Sequence, residues 1–177
     1  MRIGLISDTH MPGSIKKLWP QILDAFDGVD YILHGGDLYT RGVIDQLNEL
    51  APIYVAEGNG DIGVQDDRMQ STWVLDLGGI SIAMIHEFPT PRRKSPEFIA
   101  EFMKRTFPDA SPEVLIYGHT HLDEMHQVDS LLCVNPGSPT LPRNQSVRFG
   151  TLGFLDIDDG SVEASLYQLT ETGIERI

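Results

Sequence analysis

The sequence has little cysteine, little positive charge and no long apolar run. Cys133 is its one cysteine among 177 residues, which excludes an internal disulfide and fits a reducing, cytoplasmic location. The chain carries 13 Lys and Arg against 26 Asp and Glu, a formal net charge of −13. Because proteins bind duplex nucleic acid largely through Lys and Arg, this balance argues against a duplex-binding protein.

Membrane association is not expected either. The first apolar run, Ile3–Ile6, is too short for a signal peptide, and no run approaches the ~20 residues of a membrane span. No linker rich in proline, glycine or serine and no repeat divides the chain. We therefore expect a single domain over residues 1–177, in which Cys133 is a buried strand residue.

The N-terminal part alternates apolar strand-like runs with amphipathic stretches, a pattern typical of βαβ units. Strands are predicted at Arg2–Ser7, Tyr31–His34 and Ile53–Ala56. Three helices are predicted from apolar residues at helical spacing. The first carries Ile15, Leu18, Trp19, Ile22, Leu23 and Phe26, with Ser14 able to cap it and Pro20 as the start of its main part; the second carries Val43, Ile44, Leu47 and Leu50; the third opens at Ser95-Pro96 and buries Phe98, Ile99, Phe102 and Met103.

The C-terminal part is mostly strand. Gly78-Gly79 between two apolar runs indicates a hairpin of Trp73–Leu77 and Ile80–Ile85. Further strands are predicted at Val114–Tyr117, Glu124–Val128, Leu131–Val134, Thr151–Ile157 and Val162–Leu169. Two stacked mixed sheets with helices outside would cover the apolar faces, so an α/β fold is expected.

Polar residues follow the predicted strands at five places, where loops can converge on one edge of a sheet. These places are Asp8-Thr9-His10, Gly36-Asp37, Gly58-Asn59, His86 and Gly118-His119-Thr120-His121. Carboxylate, amide oxygen and imidazole are ligands suited to Mn, Fe, Zn or Ni. The neighbouring glycines allow close backbone approach to an ion. One such group alone is weak support for a metal site, whereas five in this order are strong support.

This series resembles the calcineurin-like metallophosphoesterase superfamily. The short chain and Asn135-Pro136-Gly137-Ser138 place it nearest the small prokaryotic phosphodiesterases, a branch that itself resembles a eukaryotic retromer subunit. The resemblance implies a four-layer α/β/β/α sandwich of two mixed sheets. It also implies two divalent cations, one held by Asp8, His10 and His121, the other by Asn59, His86 and His119, with Asp37 bridging. A bridging hydroxide would then attack phosphorus in line.

Two departures from the family pattern bear on catalysis. Many relatives follow the ligand Asn with a His that protonates the leaving group, but Gly60 stands there in this chain. The expected consequence is better turnover of esters whose leaving group needs no proton, such as aryl phosphodiesters. Glu87-Phe88-Pro89 follows His86 where relatives usually have Gly, and it could crowd the second metal or narrow the mouth of the site.

Several polar residues outside the predicted ligand set have more than one interpretation. Asn59 and Arg143 are candidate substrate contacts, although Arg143 is also read as an ordinary surface residue. His34 is read as a structural histidine or as a group that orients a ligand, and Asp61 as orienting its neighbours or capping a loop. The others are assigned to solvated surface, with a phosphate contact as the alternative for the basic cluster: Asp123, Glu124, His126, Asp129 and Arg92-Arg93-Lys94.

The favoured prediction is thus a metal-dependent phosphodiesterase acting on a small phosphate ester. Manganese is the expected metal, with Ni, Zn, Fe or Mg as alternatives, and a homo-oligomer remains open. The rival prediction is a catalytically weak or inactive protein-binding scaffold of the same fold, which Gly60 favours and the full set of seven ligand positions disfavours.

Overall fold

Twelve strands and three α-helices form the part of the chain that the computed structural model describes, residues 1–145 and 147–177. The helices are α1 (Pro20–Phe26), α2 (Arg41–Asn48) and α3 (Pro96–Thr106). The strands are β1 (Arg2–Ile6), β2 (Tyr31–His34), β3 (Ile53–Ala56), β4 (Met69–Gln70), β5 (Thr72–Leu77), β6 (Ile80–Ile85), β7 (Val114–Ile116), β8 (Asp123–Val128), β9 (Leu131–Pro136), β10 (Thr151–Asp158), β11 (Ser161–Thr170) and β12 (Gly173–Arg176). The short strands β4 and β12 are not among those that the sequence pattern predicts.

These strands form two mixed sheets. The first has seven strands in the order β12-β11-β10-β1-β2-β3-β4, and the second has five in the order β5-β6-β7-β9-β8. Neighbours β1, β2 and β3 are parallel, as are β6 and β7, so their carboxyl ends lie at one edge of their respective sheets. The predicted hairpin is present as the antiparallel pair β5–β6.

Alternating side chains bury both faces of each sheet, because successive residues of a strand point to opposite sides. In β1, Ile3 and Leu5 pack between the sheets against Ile82 and Ile116, whereas Ile6 joins α1 and α2 on the other face. In the second sheet, Leu115 and its cross-strand neighbours Ala83 and Cys133 pack against α3. Helix, sheet, sheet and helix therefore form successive layers, which confirms the predicted fold class.

Gly4 shows why β1 can lie so close to α1. A Cβ at this position would stand 2.8 Å from two atoms of the Phe26 ring, and Phe26 is fully buried. Burying a Phe side chain contributes about 1.5–3 kcal/mol to stability, so the absent side chain at position 4 permits a substantial contact. The ring of Phe154 on β10 meets Phe26 edge-on, with ring centroids 5.7 Å apart.

The helix ends agree in part with the prediction. α1 begins at Pro20 as expected, but Ser14 does not cap it, because its hydroxyl donates to the Thr9 carbonyl. Ser95 caps α3 as predicted, accepting from the Phe98 amide. The predicted burial of Phe98 is wrong, since 47% of this residue is exposed while Ile99 and Met103 face the core. No helix in the described residues has the length and apolarity needed to cross a lipid bilayer.

Candidate functional site

The seven residues predicted as metal ligands lie together where the parallel strands of both sheets end. Asp8, Asp37 and Asn59 follow β1, β2 and β3, while His86 follows β6 and His119 follows β7. Backbone hydrogen bonds join these loops, since the Asp8 amide donates to the Gly36 carbonyl at 2.8 Å and the Gly118 amide to the His86 carbonyl at 3.0 Å. The two sheets thus place loops that are distant in sequence around one point.

One group, called here the inner cluster, consists of Asp8, His10 and His121. His121 Nε2 lies 3.5 Å from Asp8 Oδ1, and His10 Nε2 lies 4.0 Å from the same oxygen. Ligand atoms bound to one cation at ~2.0–2.2 Å lie roughly 3–3.5 Å apart, so a small inward movement would let this group hold a metal ion. His10 Nε2 is buried and has no hydrogen-bond partner among the described residues, as expected of a ligand atom.

A second group, the outer cluster, consists of Asn59, His86 and His119. Asn59 Oδ1 lies 3.3 Å from His86 Nε2 and 3.0 Å from His119 Nδ1. His86 is buried, whereas Asn59 and His119 are exposed. Amide oxygen and imidazole nitrogen at these distances could also hold a divalent cation, in this case one open to solvent.

Asp37 lies between the two clusters with one carboxylate oxygen turned toward each. Its Oδ2 is 3.4 Å from His10 Nε2 in the inner cluster, and its Oδ1 is 3.5 Å from His86 Nε2 in the outer cluster. A carboxylate placed in this way can bridge two cations ~3.5–4 Å apart, the spacing typical of two-metal phosphoryl sites. Asp37 Oδ1 also accepts a hydrogen bond from the Gly60 amide at 2.7 Å.

Backbone carbonyls fix the orientation of two of the imidazoles. His86 Nδ1 lies 2.7 Å from the Gly35 carbonyl, and His121 Nδ1 lies 2.7 Å from the Leu141 carbonyl. Since a carbonyl only accepts, each Nδ1 donates a proton to it, and Nε2 is the ring nitrogen turned toward the site. The Nε2 atoms of His86 and His121 lie 3.5 Å from Asp37 Oδ1 and Asp8 Oδ1 respectively, so one cation could bind both members of each pair.

Burial disfavours the charged forms of the side chains in the inner cluster. Burial, opposed by the Ser7 hydrogen bond and reinforced by the nearby Asp37 charge, raises the pKa of Asp8 well above its usual range. Burial, together with His121, lowers the pKa of His10 to about 4, which keeps this imidazole neutral at physiological pH. Neutral imidazole is the form that binds metal, and a bound cation would favour the ionised form of Asp8.

Asp61 ties two of the site's loops together. Its buried carboxylate accepts four backbone hydrogen bonds, from the amides of Asp37, Leu38, Tyr39 and Gly58, at 2.8–2.9 Å. Three of these donors belong to the loop after β2 and one to the loop after β3, so Asp61 fixes Asp37 relative to Asn59. Of its two sequence readings, the structure supports the one in which it orients its neighbours.

The backbone at the site adopts an uncommon conformation. Five of the seven predicted ligands have positive φ, between 47° and 71°: Asp8, His10, Asp37, His119 and His121. Such a φ in a residue other than glycine costs on the order of 1–3 kcal/mol and clusters at functional sites. The backbone conformation that directs these side chains into the site therefore lowers the stability of the fold.

Glycines allow the loops to approach one another closely. A Cβ on Gly58 would collide with the Asp37 carboxylate, and one on Gly118 would collide with the Ser7 hydroxyl. Ser7 in turn donates to Asp8 Oδ2 at 2.6 Å. Any larger residue at position 58 or 118 would consequently displace a predicted ligand or the group that holds it.

Comparison with known proteins identifies the family to which this site belongs. The sequence signature described as the calcineurin-like phosphoesterase superfamily domain matches residues 1–160. The chain belongs to this superfamily. It is 32% identical over 145 residues to a probable metallophosphoesterase of Methanothermobacter thermautotrophicus, covering 81% of this chain and 80% of that one. It is 29% identical over 147 residues to a phosphodiesterase of Methanocaldococcus jannaschii, covering 77% and 83%.

Solved structures show the same fold. Vacuolar protein sorting 29 of Cryptosporidium parvum superposes with a TM-score of 0.82 at 18% identity, over 99% of this chain and 95% of that one. The protein of the same name from Entamoeba histolytica, crystallised with Zn²⁺, gives 0.78 at 24% identity, over 100% and 98%. These likenesses confirm the fold of a calcineurin-like phosphoesterase domain.

Gly60 directly follows the predicted ligand Asn59 in the loop after β3. A Cβ at position 60 would collide with the ring of Tyr39, whose side chain extends over this position. The Tyr39 ring lies 4.4 Å from the His10 ring, and 40% of the residue is exposed. Tyr39 thus fills space that a side chain at 60 would need. Nothing in the sequence pattern links these two residues.

The second departure, Glu87-Phe88-Pro89, does not fill the space between the clusters. Phe88 turns into the core, where only 4% of it is exposed and its ring lies 5.1 Å from that of Tyr117. Glu87 is exposed and lines an open cleft of about 700 Å³ that also contains Asn59, His86 and His119. The mouth of the site is therefore shaped by this segment.

Arg143 and His34, which are not among the predicted ligands, lie in different surroundings. Arg143 lines a different cleft, which contains none of the seven predicted ligands, and only its amide approaches the site, donating to the His121 carbonyl at 3.0 Å. This placement favours the surface reading of its side chain. His34 is fully buried, and its Nδ1 accepts from the Gly36 amide at 3.0 Å, so it supports the loop that carries Asp37.

The assignment of Glu124 to solvated surface is wrong. Glu124 is 8% exposed and accepts hydrogen bonds from the hydroxyls of Thr90 at 2.8 Å and Tyr117 at 3.3 Å. Those partners come from other loops and strands, so the alternation of β8 alone could not reveal them. His126, also assigned to the surface, is half-buried.

Proposed function

We propose that this chain is a binuclear metal-dependent phosphodiesterase of the calcineurin-like superfamily. The observation that carries the proposal is the convergence of carboxylate oxygens and imidazole nitrogens from separate loops, in which Nε2 of His86 and of His121 lies 3.5 Å from Asp37 and Asp8. These are distances at which a shared divalent cation could bind both members of each pair. The inner cluster would hold one cation, the outer cluster a second, and Asp37 would bridge them.

Manganese is the expected metal. Two such divalent cations would supply an activated water at neutral pH and neutralise charge on the phosphoryl group. The chain's own residues prepare that chemistry. Asp61 fixes the loop of Asp37 against the loop of Asn59, and the carbonyls of Gly35 and Leu141 hold the imidazoles in one tautomer. Asn59 is exposed at the rim of the site, where its amide could also contact a phosphate ester.

The lack of a donating side chain at position 60 shapes the proposed substrate preference. General acid assistance is typically worth ~10²–10⁴ in rate, so esters with poor leaving groups should suffer most from its absence. Small phosphodiesters with aryl leaving groups are the proposed substrates, in a cytoplasmic setting. The relative named as a phosphodiesterase supports this class over monoesters.

The test begins with metal content. We expect the purified protein, stripped with chelator, to bind two equivalents of Mn²⁺ by calorimetry and to regain hydrolysis of bis(p-nitrophenyl) phosphate, with Ni²⁺, Zn²⁺, Fe²⁺ and Mg²⁺ compared in parallel. The Asp37→Asn variant should lose both activity and at least one equivalent of metal. Hydrolysis that persists without metal would refute the mechanism.

Asp129→Asn supplies a matched control for that substitution. Asp129 also has positive φ, 50° against 57° for Asp37, but it is exposed in the turn between β8 and β9. The same change of charge in the same backbone conformation should there leave metal binding and activity unchanged.

A protein-binding scaffold of the same fold is the second candidate, and Gly60 is the feature that favours it. The two functions differ in one result. A scaffold would bind the two cations yet fail to hydrolyse aryl phosphodiesters with any of the five metals.

A further inference from the structure

The open cleft beside the outer cluster has an aromatic wall that the two-metal scheme does not use. Phe98 and Phe102 line it together with Asn59, His86 and His119, and its volume is about 700 Å³. This size suits a small-molecule substituent, since ligand clefts typically measure ~300–1,000 Å³. A group bound here would lie directly against residues of the proposed metal centre.

The wall is built by a face of α3 at the edge of the core, beside the face that is fully buried. Phe98 and Phe102 are four residues apart on α3 and therefore share one face, whereas Ile99 and Met103 occupy the buried face. Phe102 rests edge-on against buried Phe88, with ring centroids 5.4 Å apart. Phe88 belongs to the segment after His86 that departs from the family pattern, so this departure provides the support for the wall.

Exposure and charge indicate what the wall would bind. Phe98 leaves 47% of its surface exposed in the cleft, which presents a flat apolar ring next to a polar centre. Lys94 Nζ lies 4.7 Å from the centroid of that ring and is the one Lys or Arg among the described residues that line the cleft. Glu57 and Glu87 line it too, which disfavours a second anionic group on the substituent.

We propose that this cleft is a specificity site for a neutral aromatic substituent of a phosphodiester, stacked on Phe98 and Phe102. Lys94 attracts the anionic diester to the mouth, and the ring of the substituent then covers the exposed face of Phe98. The inference rests on the proposed phosphodiesterase function and adds the substrate class to it. Stacking requires only the flat face of an aromatic ring, so aryl and heteroaryl groups share this site.

The kinetic test varies one ester group while the leaving group stays the same. Methyl, cyclohexyl and phenyl p-nitrophenyl phosphate all release p-nitrophenol, so differences among them report the retained substituent. With Mn²⁺ present we expect kcat/KM for the phenyl ester to exceed that for the methyl ester about tenfold, as stacking energies of this kind suggest, with the cyclohexyl ester between them. Equal values for the three esters would overturn the inference while leaving the phosphodiesterase function intact.

Variants locate the effect within the cleft. Phe98→Leu keeps an apolar side chain but removes the ring, so it should reduce the phenyl-to-methyl ratio to near one, and Phe102→Leu should reduce it in part. Lys94→Gln should raise KM for all three esters, because the diester anion is common to them. Met125→Ala is the control, because Met125 is equally exposed at 47% and does not line the cleft.

A binding measurement tests the site without turnover. Phenylphosphonate should bind the Mn²⁺-loaded protein about tenfold more tightly than methylphosphonate by calorimetry. It should also shift the ring resonances of Phe98 in NMR spectra, and Phe98→Leu should remove the difference in affinity. Equal affinities, or a difference that survives in Phe98→Leu, would overturn the proposal. Loss of all metal-dependent hydrolysis with the phenyl preference in binding intact would instead refute only the catalytic role.

Discussion

The inner and outer clusters contain similar ligand types but differ in their surroundings. The inner cluster is enclosed, with Asp8 at 0% and His121 at 3% exposure, whereas Asn59 and His119 of the outer cluster are exposed. A buried ligand set is fixed by its packing, while an exposed one depends on the metal and on solvent. Substrate is therefore expected to approach from the outer side, and a metal ion bound by the outer cluster is expected to exchange more readily.

The greatest loss of stability is expected at Asp61, which holds the loop of Asp37 against the loop of Asn59. Asp61→Asn removes one acceptor oxygen and turns an amide group toward backbone N–H donors. Because hydrogen bonds to a buried carboxylate are each worth ~1.5–3 kcal/mol, we expect a loss of about 3 kcal/mol or more in unfolding free energy, measured by urea denaturation.

The same Asp61→Asn variant tests the division into two clusters. Its hydrogen bonds reach the loops of Asp37 and Asn59 but not Asp8, so the outer metal should be lost first. Loss of the inner metal with the outer one retained would contradict the arrangement described here. Asp129→Asn again serves as the exposed control.

A matched pair of histidines gives an effect of intermediate size. His119→Ala and His121→Ala change the same residue type at positive φ, 71° and 56°. The backbone contributions to their two changes in unfolding free energy should therefore be nearly equal. Each variant should lower the Mn²⁺ stoichiometry from two toward one. His121→Ala also removes the hydrogen bond from His121 Nδ1 to the Leu141 carbonyl, which keeps only the longer one from the Asn144 amide at 3.3 Å, so with excess Mn²⁺ it should be the less stable variant by about 0.5–1.5 kcal/mol.

Thermal or urea denaturation of the two histidine variants, alongside metal titration, tests whether burial stabilises the inner cluster more than the outer cluster. Equal losses of unfolding free energy in the two variants would mean that burial does not stabilise the inner cluster more than the outer cluster. A more destabilised His119→Ala would reverse the assignment of the enclosed and open halves.

The smallest expected effect concerns the space over the site. In Gly60→Ala the new Cβ meets the Tyr39 ring, a partly exposed side chain that can move aside, so the cost should be about 1 kcal/mol. Tyr39→Ala should relieve that cost, giving a positive coupling in a double-mutant cycle of urea denaturation. Additive effects would show that the two residues do not compete for space.

Much of the fold could be predicted because local signals agree with it. Pro20 and Ser95-Pro96 start helices, and Gly78-Gly79 connects the hairpin, since these residues act through the backbone of their own segment. The predicted burial of Phe98 and the predicted exposure of Glu124 are both wrong. Helical spacing does not say how wide the buried face is, and Glu124 is buried by Thr90 and Tyr117, which no local pattern connects to it.

The three helices, ten of the twelve strands and the polar groups that follow them could be predicted from the sequence alone, because side-chain alternation, turn residues and donor types are short-range signals. The superfamily was indicated by the resemblance of the motif series. Only the tertiary structure decided that one oxygen of Asp37 faces each cluster, that Tyr39 fills the space beside Gly60, and that α3 turns Phe98 into a cleft next to His86. Such contacts join residues far apart in the chain, and only the packing of the two sheets brings them within reach.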